Sequence, residues 1–275
     1  MLTRLGCYWR ALSTGLCFVV YGSLSFVASL TVLPLLMLWP GGTEARERRI
    51  RLFVSWTFRA LLWLIELLGI GCIEVQGREW LEQADGKLVV ATHPMYLDVV
   101  VLLTLMPFAD CVVKSAMLRN PFYRHFTKAA GYISNADSEM LMETCVGSLK
   151  RGRTLVLFPE GTRSVPGEPM RFRRGAAHVA LRGGCEILPV MIHCSPPTLL
   201  KSSRWYHVPE RPWRLTVRFY PPRDLAALGH REGLPHGISA RHLTCSLEDF
   251  FKQQLTSHEY PDRRTEAAHH SLARS

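Results

Sequence analysis

A run of thirty residues without a charged side chain, residues 11–40, constrains this chain more than any other feature. Thirty residues of α-helix rise about 45 Å, which exceeds the roughly 30 Å hydrocarbon thickness of a bilayer. A secretory signal is the competing interpretation, but its apolar core has only about 7–15 residues. Here the apolar residues continue through Trp39. The run therefore predicts a membrane helix.

A second apolar stretch, residues 52–73, follows a Pro-Gly-Gly break and a basic cluster made of Arg46, Arg48, Arg49 and Arg51. It carries Arg59 and Glu66, which are seven residues apart and lie on nearly one face of a helix. The pattern predicts an interfacial or half-buried helix, and the basic cluster favours a cytoplasmic position for everything that follows. A second span, a hairpin within one leaflet and a fully buried helix remain alternatives. We assign residues 1–74 to membrane-anchoring helices.

The composition excludes several classes of protein. The 275 residues include 48% hydrophobic residues and carry a formal net charge of +10, which rules out a disordered chain. The positive charge attracts phosphates of any kind, but there is no zinc-finger spacing and no RNA-binding aromatic motif, so we predict membrane lipid and no nucleic acid as the partner. Eight cysteines without a CxxC pair indicate reduced thiols and no metal site.

From about residue 75, short apolar runs alternate with longer mixed segments, which predicts an α/β domain. The predicted strands are residues 87–92, 111–114, 154–158, 187–192 and 215–220. The predicted helices are residues 97–105, 120–130, 139–151, 175–182 and 243–255. We assign residues 75–256 to this catalytic domain and the polar residues 257–275 to a flexible tail.

The segment HPMYLD, residues 93–98, follows the first of these strands. On one continuous helix the side chains of His93 and Asp98 would point about 140° apart, so they meet only if His93 precedes the helix. Pro94 favours this because proline is common at the first helical position. Asp98 would then fix the imidazole tautomer that a general base needs.

A second motif, FPEGTRS at residues 158–164, follows the predicted strand TLVLF. It places a carboxylate, a guanidinium and a hydroxyl at the carboxyl end of a strand, where open α/β sheets bind ligands. Arg163 suits bidentate capture of a phosphate, and Gly161 lets the backbone approach a ligand. The alternative is an ordinary turn in which Glu160 and Arg163 form a surface ion pair.

Together these two motifs resemble the His-x4-Asp and Phe-Pro-Glu-Gly-Thr-Arg-Ser blocks of the glycerolipid acyltransferase family. The resemblance covers about residues 75–195 and includes Lys114, Arg173 and the segment ILPVMI. It implies a mixed sheet flanked by helices, preceded by N-terminal membrane helices. It also implies a membrane location, which we take to be a bacterial inner membrane, with the catalytic domain facing the cytoplasm.

The resemblance also implies an activity and a set of roles. His93 would deprotonate a hydroxyl that attacks the thioester of acyl-CoA or acyl carrier protein, and Asp98 would support the imidazolium. The acceptor would be a lysophospholipid, by default 1-acyl-sn-glycerol-3-phosphate, which gives phosphatidate. Its headgroup would contact Glu160, Gly161, Thr162, Arg163, Lys114 and Arg173. No further cofactor is implied, because the acyl carrier is a co-substrate.

One block departs from the family pattern. Where the family usually has Gly-x-Ile-Phe-Ile-Asp-Arg, this chain reads GYISNAD, so the position expected to hold a phosphate-binding arginine falls near Asp137. Three interpretations follow. Arg163, Arg173 and Arg174 bind the phosphate without help, Lys114 substitutes, or the acceptor is another lysolipid or hydroxy-acyl lipid without that phosphate. A non-catalytic lipid-binding protein is the remaining alternative, whereas a Gly-x-Ser-x-Gly hydrolase elbow and a P-loop are absent from the sequence.

Overall fold

The structure is a computed structural model that describes residues 2–119, 124–165, 167–201, 203–230 and 233–256. The predicted tail, residues 257–275, lies outside the described residues, as do residues 120–123 at the start of the second predicted helix.

The described residues form helices and strands that alternate after a helical N-terminal region. The helices are α1 (Leu2–Leu30), α2 (Val32–Leu38), α3 (Thr43–Leu67), α4 (Arg78–Leu81), α5 (Asp98–Leu105), α6 (Arg124–Ala129), α7 (Ser138–Lys150), α8 (Gly175–Gly183) and α9 (His236–Thr256). The strands are β1 (Gly71–Gln76), β2 (Leu88–Ala91), β3 (Asp110–Val113), β4 (Ile133–Ser134), β5 (Leu155–Leu157), β6 (Ile187–Ser195) and β7 (Trp213–Phe219).

The strands form one mixed sheet in the order β1-β7-β6-β2-β5-β3-β4. Strands β6, β2, β5, β3 and β4 are parallel to one another, whereas β7 is antiparallel to β6 and β1 is parallel to β7. Five strands therefore end at the same edge of the sheet, and the loops that follow them lie together. The predicted mixed sheet flanked by helices is confirmed.

Apolar side chains cover both faces of this sheet. In β2, Val89 and Ala91 contact one core, which includes Leu62 of α3 and Leu102 of α5. Leu88 and Val90 point to the opposite core, which includes residues of α7, α8 and α9. This alternation follows from the two-residue period of a strand. A strand buried on both faces is a continuous apolar run, which explains why these strands were evident in the sequence.

The five predicted strands are all present, but strands β1 and β4 were not predicted. Strand β1 lies in the segment predicted to be helical to residue 73, and it crosses the predicted domain boundary at residue 74. Helix α3 in fact begins at Thr43 and ends at Leu67, and the chain turns at Gly69, whose φ is +64°. A two-residue strand such as β4 leaves no readable alternation. The last helix also begins earlier than predicted, at His236.

Helices α1 and α2 together form an apolar segment, Leu5–Leu38, that is long enough to cross a membrane by length and composition. Its exposed side chains include Leu12, Val19 and Leu35. The exposed side of α3 combines Trp56 and Trp63 with Arg59 and Glu66. This amphipathic surface agrees with the predicted interfacial helix.

The basic cluster lies in the first turns of α3, and part of it is used inside the protein. Arg49 donates hydrogen bonds to the carbonyls of Trp39 and Pro40 at the end of α2. Arg51 is buried and pairs with the buried Asp110 of β3. Its remaining donors reach the carbonyls of Ala130 at 2.8 Å and Phe108 at 2.9 Å. The Arg51 pair therefore joins α3 to the sheet.

Breaking this buried pair is expected to destabilise the fold. Arg51→Met removes the closest cation from the buried Asp110 carboxylate and leaves it with Arg153 Nη1 at 3.9 Å, so we expect a loss of about 3 kcal/mol, the low end for comparable buried pairs. The free energy of unfolding, measured by denaturant titration in detergent, tests this. Arg214→Ala is the control, because its pair with Glu74 is exposed and worth at most about 1 kcal/mol. Equal effects of the two substitutions would contradict the assignment.

Candidate active site

The candidate site lies at the edge of the sheet where the five parallel strands end. The loop after β2 carries His93, the loop after β5 carries Glu160 and Arg163, and the residue after β3 is Lys114. Parallel pairing of β2 with β5 and of β5 with β3 brings these loops to one edge. Ligands in open α/β sheets bind at such an edge.

His93 and Asp98 contact each other directly, as the sequence predicted. The distance from His93 Nδ1 to Asp98 Oδ2 is 2.9 Å. The same carboxylate oxygen accepts a hydrogen bond from the Met95 amide at 2.8 Å, which closes the turn between the two residues. Helix α5 begins at Asp98, four residues later than a start at Pro94 would place it, and His93 lies outside the helix.

The Asp98 carboxyl is completely buried, and this burial is the main reason that its pKa rises from 3.8 to about 6. The hydrogen bond from His93 opposes the rise by favouring the charged form. Near neutral pH the carboxylate is ionised and can only accept, so Nδ1 of His93 carries the shared proton. The other ring nitrogen, Nε2, is then the basic one.

Glu160 connects the two motifs. Its Oε1 accepts a hydrogen bond from the His93 amide at 3.1 Å and another from the Ser164 hydroxyl at 2.7 Å. The Ser164 amide in turn donates to the His93 carbonyl at 2.7 Å. In the part of the chain that the structure describes, Glu160 and Arg163 form no ion pair with each other, so the alternative of an ordinary ion-paired turn is not supported.

Arg163 is held by groups from two other loops. Its Nη1 donates to the Leu199 carbonyl at 2.9 Å, and its guanidinium carbon lies 5.8 Å from the centre of the Tyr96 ring. An arginine has five N–H donors, so this arrangement leaves others for a ligand. A fixed guanidinium suits an anionic headgroup.

Gly161 brings Arg173 to the same loop. Gly161 has φ of +68°, and a Cβ at this position would come within 2.9 Å of Arg173 Nε. The Arg173 amide also donates to the Pro159 carbonyl at 2.8 Å. The hydroxyl of Thr162 is buried and has no hydrogen-bond partner among the described residues.

The atypical second block is explained partly by local structure. Asp137 Oδ1 accepts a hydrogen bond from the Met140 amide, so Asp137 caps the start of α7. Asn135 Oδ1 accepts a hydrogen bond from the Ser115 amide at 2.8 Å, next to the exposed Lys114. The block thus supports the loop that carries Lys114.

Phe158, Ser164 and the main chain of Leu199 complete the site, and none of them had a predicted role. Phe158 stacks on the His93 ring at 4.4 Å between ring centres, and Ser164 bonds to Glu160. Both belong to the FPEGTRS motif, so position in the motif was an available signal. The Leu199 carbonyl had none, because any residue type supplies a carbonyl.

Comparisons with known proteins show what this chain resembles. Residues 72–193 match the acyltransferase family model. The crystal structure of the 1-acyl-sn-glycerophosphate acyltransferase PlsC from Thermotoga maritima superposes with a TM-score of 0.64 at 19% sequence identity, covering 93% of this chain and 98% of that one. The segment of residues 72–193 is therefore similar in sequence to acyltransferases, and the chain shares the fold of PlsC.

Two 1-acyl-sn-glycerol-3-phosphate acyltransferases are among the proteins that this chain resembles. The protein from Cocos nucifera is 24% identical over 198 residues, which cover 70% of this chain and 60% of the relative. The protein from Helicobacter pylori is 33% identical over 113 residues, which cover 38% of this chain and 48% of the relative. The chain therefore spans about half the length of the curated relatives that it matches.

Asp98→Asn is expected to change how the stability of this protein depends on pH. Because the folded state raises the pKa of Asp98 from 3.8 to about 6, it binds an extra proton between these values. The stabilisation from that proton is present below 3.8 and is lost as the pH rises to about 6. The wild-type free energy of unfolding should therefore decline relative to the variant's across this window in denaturant titrations. Parallel profiles would contradict the raised pKa.

Proposed function

We propose that this protein transfers a fatty acyl group from a thioester, acyl-CoA or acyl carrier protein, to the hydroxyl of a lysophospholipid. The observation that carries the proposal is the His93–Asp98 contact, joined through Glu160 to the loop of Arg163. A base and an anion-binding loop at one edge are what this reaction requires.

The proposed reaction begins at Nε2 of His93. The acceptor hydroxyl gives its proton to Nε2 as its oxygen attacks the thioester carbonyl carbon, and the buried Asp98 carboxylate stabilises the imidazolium that forms. Collapse of the tetrahedral intermediate breaks the carbon–sulfur bond. The departing thiolate takes the proton from His93, which leaves a new ester and a free thiol carrier. The hydroxyl attacks the donor directly, so no acyl-enzyme is formed.

The default acceptor is 1-acyl-sn-glycerol-3-phosphate, the substrate in the names of the relatives. In this assignment Arg163, Lys114 and Arg173 bind the phosphate, while Glu160, Gly161 and Thr162 shape the loop. The second candidate is the same transfer to an acceptor without that phosphate. It is favoured by the second block, in which the position expected to hold an arginine falls near Asp137.

His93→Ala is expected to lower kcat by about 10²–10⁴-fold, the usual contribution of a general base. In the assay, the protein receives labelled acyl-CoA or labelled acyl carrier protein as the donor. The acceptors are lysophosphatidate, other lysolipids and hydroxylated lipids, and the lipid ester that forms is identified. His207→Ala is a matched control, because His207 is exposed in the loop between β6 and β7.

The acceptor panel separates the candidates. Esterification of lysophosphatidate alone supports the default acceptor, and esterification of only phosphate-free acceptors supports the second. Turnover by His93→Ala at the wild-type rate would show that the mechanism is wrong. Lipid binding without turnover by the wild type would support the non-catalytic alternative.

We also propose that the apolar segment binds the membrane without crossing it. Arg10 in α1 donates to the Pro209 carbonyl at 3.1 Å, and Leu33 in α2 packs in a core with Phe126 and Ala130. These two contacts are separated by about 35 Å of helical rise, more than the hydrocarbon thickness. A crossing helix would place them on opposite sides of the bilayer, yet both contact the same domain. The segment then lies in one leaflet, with the exposed tryptophans of α3 at the interface.

A labelling experiment tests this position. In intact spheroplasts, a membrane-impermeant maleimide should leave Leu5→Cys unmodified and should label it after lysis. The native Cys245, exposed on α9, is the internal control for the cytoplasmic side. Labelling of Leu5→Cys in intact spheroplasts with Cys245 still protected would show a true span.

A further inference from the structure

The loop between β6 and β7 contains a backbone conformation that the proposed mechanism does not use. Leu199 has φ of +50° and is the only residue other than glycine with a positive φ among the described residues. A bulky side chain rarely adopts this left-handed region, and it does so only where its surroundings impose the conformation. Strain of this kind indicates that the structure needs this backbone conformation at Leu199.

The main-chain carbonyl of Leu199 explains why this conformation is needed. It accepts the 2.9 Å hydrogen bond from Arg163 Nη1, across 36 residues of sequence. The donor is a cation, and hydrogen bonds from charged groups are stronger than those between neutral groups. A main-chain carbonyl cannot change rotamer, so the direction in which it points is set by the backbone angles of the loop.

The same guanidinium also lies near the ring of Tyr96, which belongs to the turn that holds His93 against Asp98. Arg163 thus contacts two groups from outside its own loop, an aromatic ring from the turn of the base and a carbonyl from the loop between β6 and β7. Losing either one would let a long, flexible side chain adopt other rotamers.

We propose that Leu199 is a positioning residue for Arg163: its left-handed backbone directs the carbonyl that holds the guanidinium in place for the anionic headgroup of the acceptor. This inference rests on the proposed function, in which Arg163 binds that headgroup. The leucine side chain itself is only partly buried and packs at the margin of the core. The conformation of the residue, more than its side chain, is what positions the arginine.

Two substitutions distinguish the effect of the backbone conformation at residue 199 from the effect of side-chain packing. Leu199→Gly removes the side chain but adopts a positive φ without strain. Leu199→Val keeps an apolar side chain, but its β-branched shape opposes the left-handed region. We expect Leu199→Val to raise the KM for lysophosphatidate at least about tenfold, with kcat and the KM for the acyl donor changed by less than about threefold. Leu199→Gly should stay within about threefold of the wild type in all three values.

The opposite ranking of the two variants would show that packing matters and would overturn the inference. Equal effects, or no effect in either variant, would also overturn it. Thermal unfolding of both variants distinguishes a specific rise in KM from a general loss of folded protein. A conservative rescue adds a further check, since Leu199→Asn tolerates the left-handed region and should behave as the glycine variant does.

Arg163→Ala distinguishes this inference from the proposed function. If Arg163→Ala raises the acceptor KM, adding Leu199→Val to it should raise that KM no further, because the carbonyl then has no guanidinium to hold. A further rise would show that Leu199 acts elsewhere. If Arg163→Ala leaves the acceptor KM unchanged, the binding role of Arg163 is wrong and the inference fails with it. If Arg163→Ala raises the acceptor KM but Leu199→Val leaves it unchanged, the proposed function stands without this inference.

Discussion

The parallel register between β2 and β5 determines where the chemistry of this protein can occur. Leu88 pairs with Leu155 and Val90 with Leu157. Continuing that register by three residues places His93 beside Glu160, and the hydrogen bond from the His93 amide to the Glu160 carboxylate is the result. A shift of one residue would turn every side chain of β2 to the opposite face and separate the two motifs. The pairing of these two buried strands thus fixes the spacing of the polar groups beyond them.

The site combines one deeply buried negative charge with several accessible positive ones. Asp98 is fully buried and accepts hydrogen bonds from groups of its own turn, whereas Arg173 and Lys114 are exposed. This separation suits the proposed reaction, in which the charge that forms on the imidazole is stabilised away from water. A phosphate on a substrate of that reaction would be attracted to the exposed cations. The Oε1 of Glu160 accepts the two hydrogen bonds that join the motifs.

The sequence predicted which buried strands form and which two residues meet after β2 better than it predicted the boundaries of the elements. The five buried strands and the meeting of His93 with Asp98 could be predicted because apolar runs and motif spacing are local signals. Strand β1 was missed because its residues, beginning with Gly71, follow an apolar helix without a change in hydrophobicity. The burial of Arg51 was also unpredictable. Its partner Asp110 lies 59 residues away, and a basic cluster beside an apolar run is equally typical of a membrane-facing surface.

The packing of Arg173 against Gly161 limits which substitutions this loop tolerates. The backbone at Gly161 is left-handed, and the space that a Cβ would fill is taken by the Arg173 side chain. A change at position 161 therefore meets two separate penalties, one from the backbone and one from the arginine. Only the second is relieved by shortening residue 173. The two positions are thus coupled unequally: a side chain at 161 would have to displace the arginine, and shortening residue 173 would still leave the penalty of the left-handed backbone.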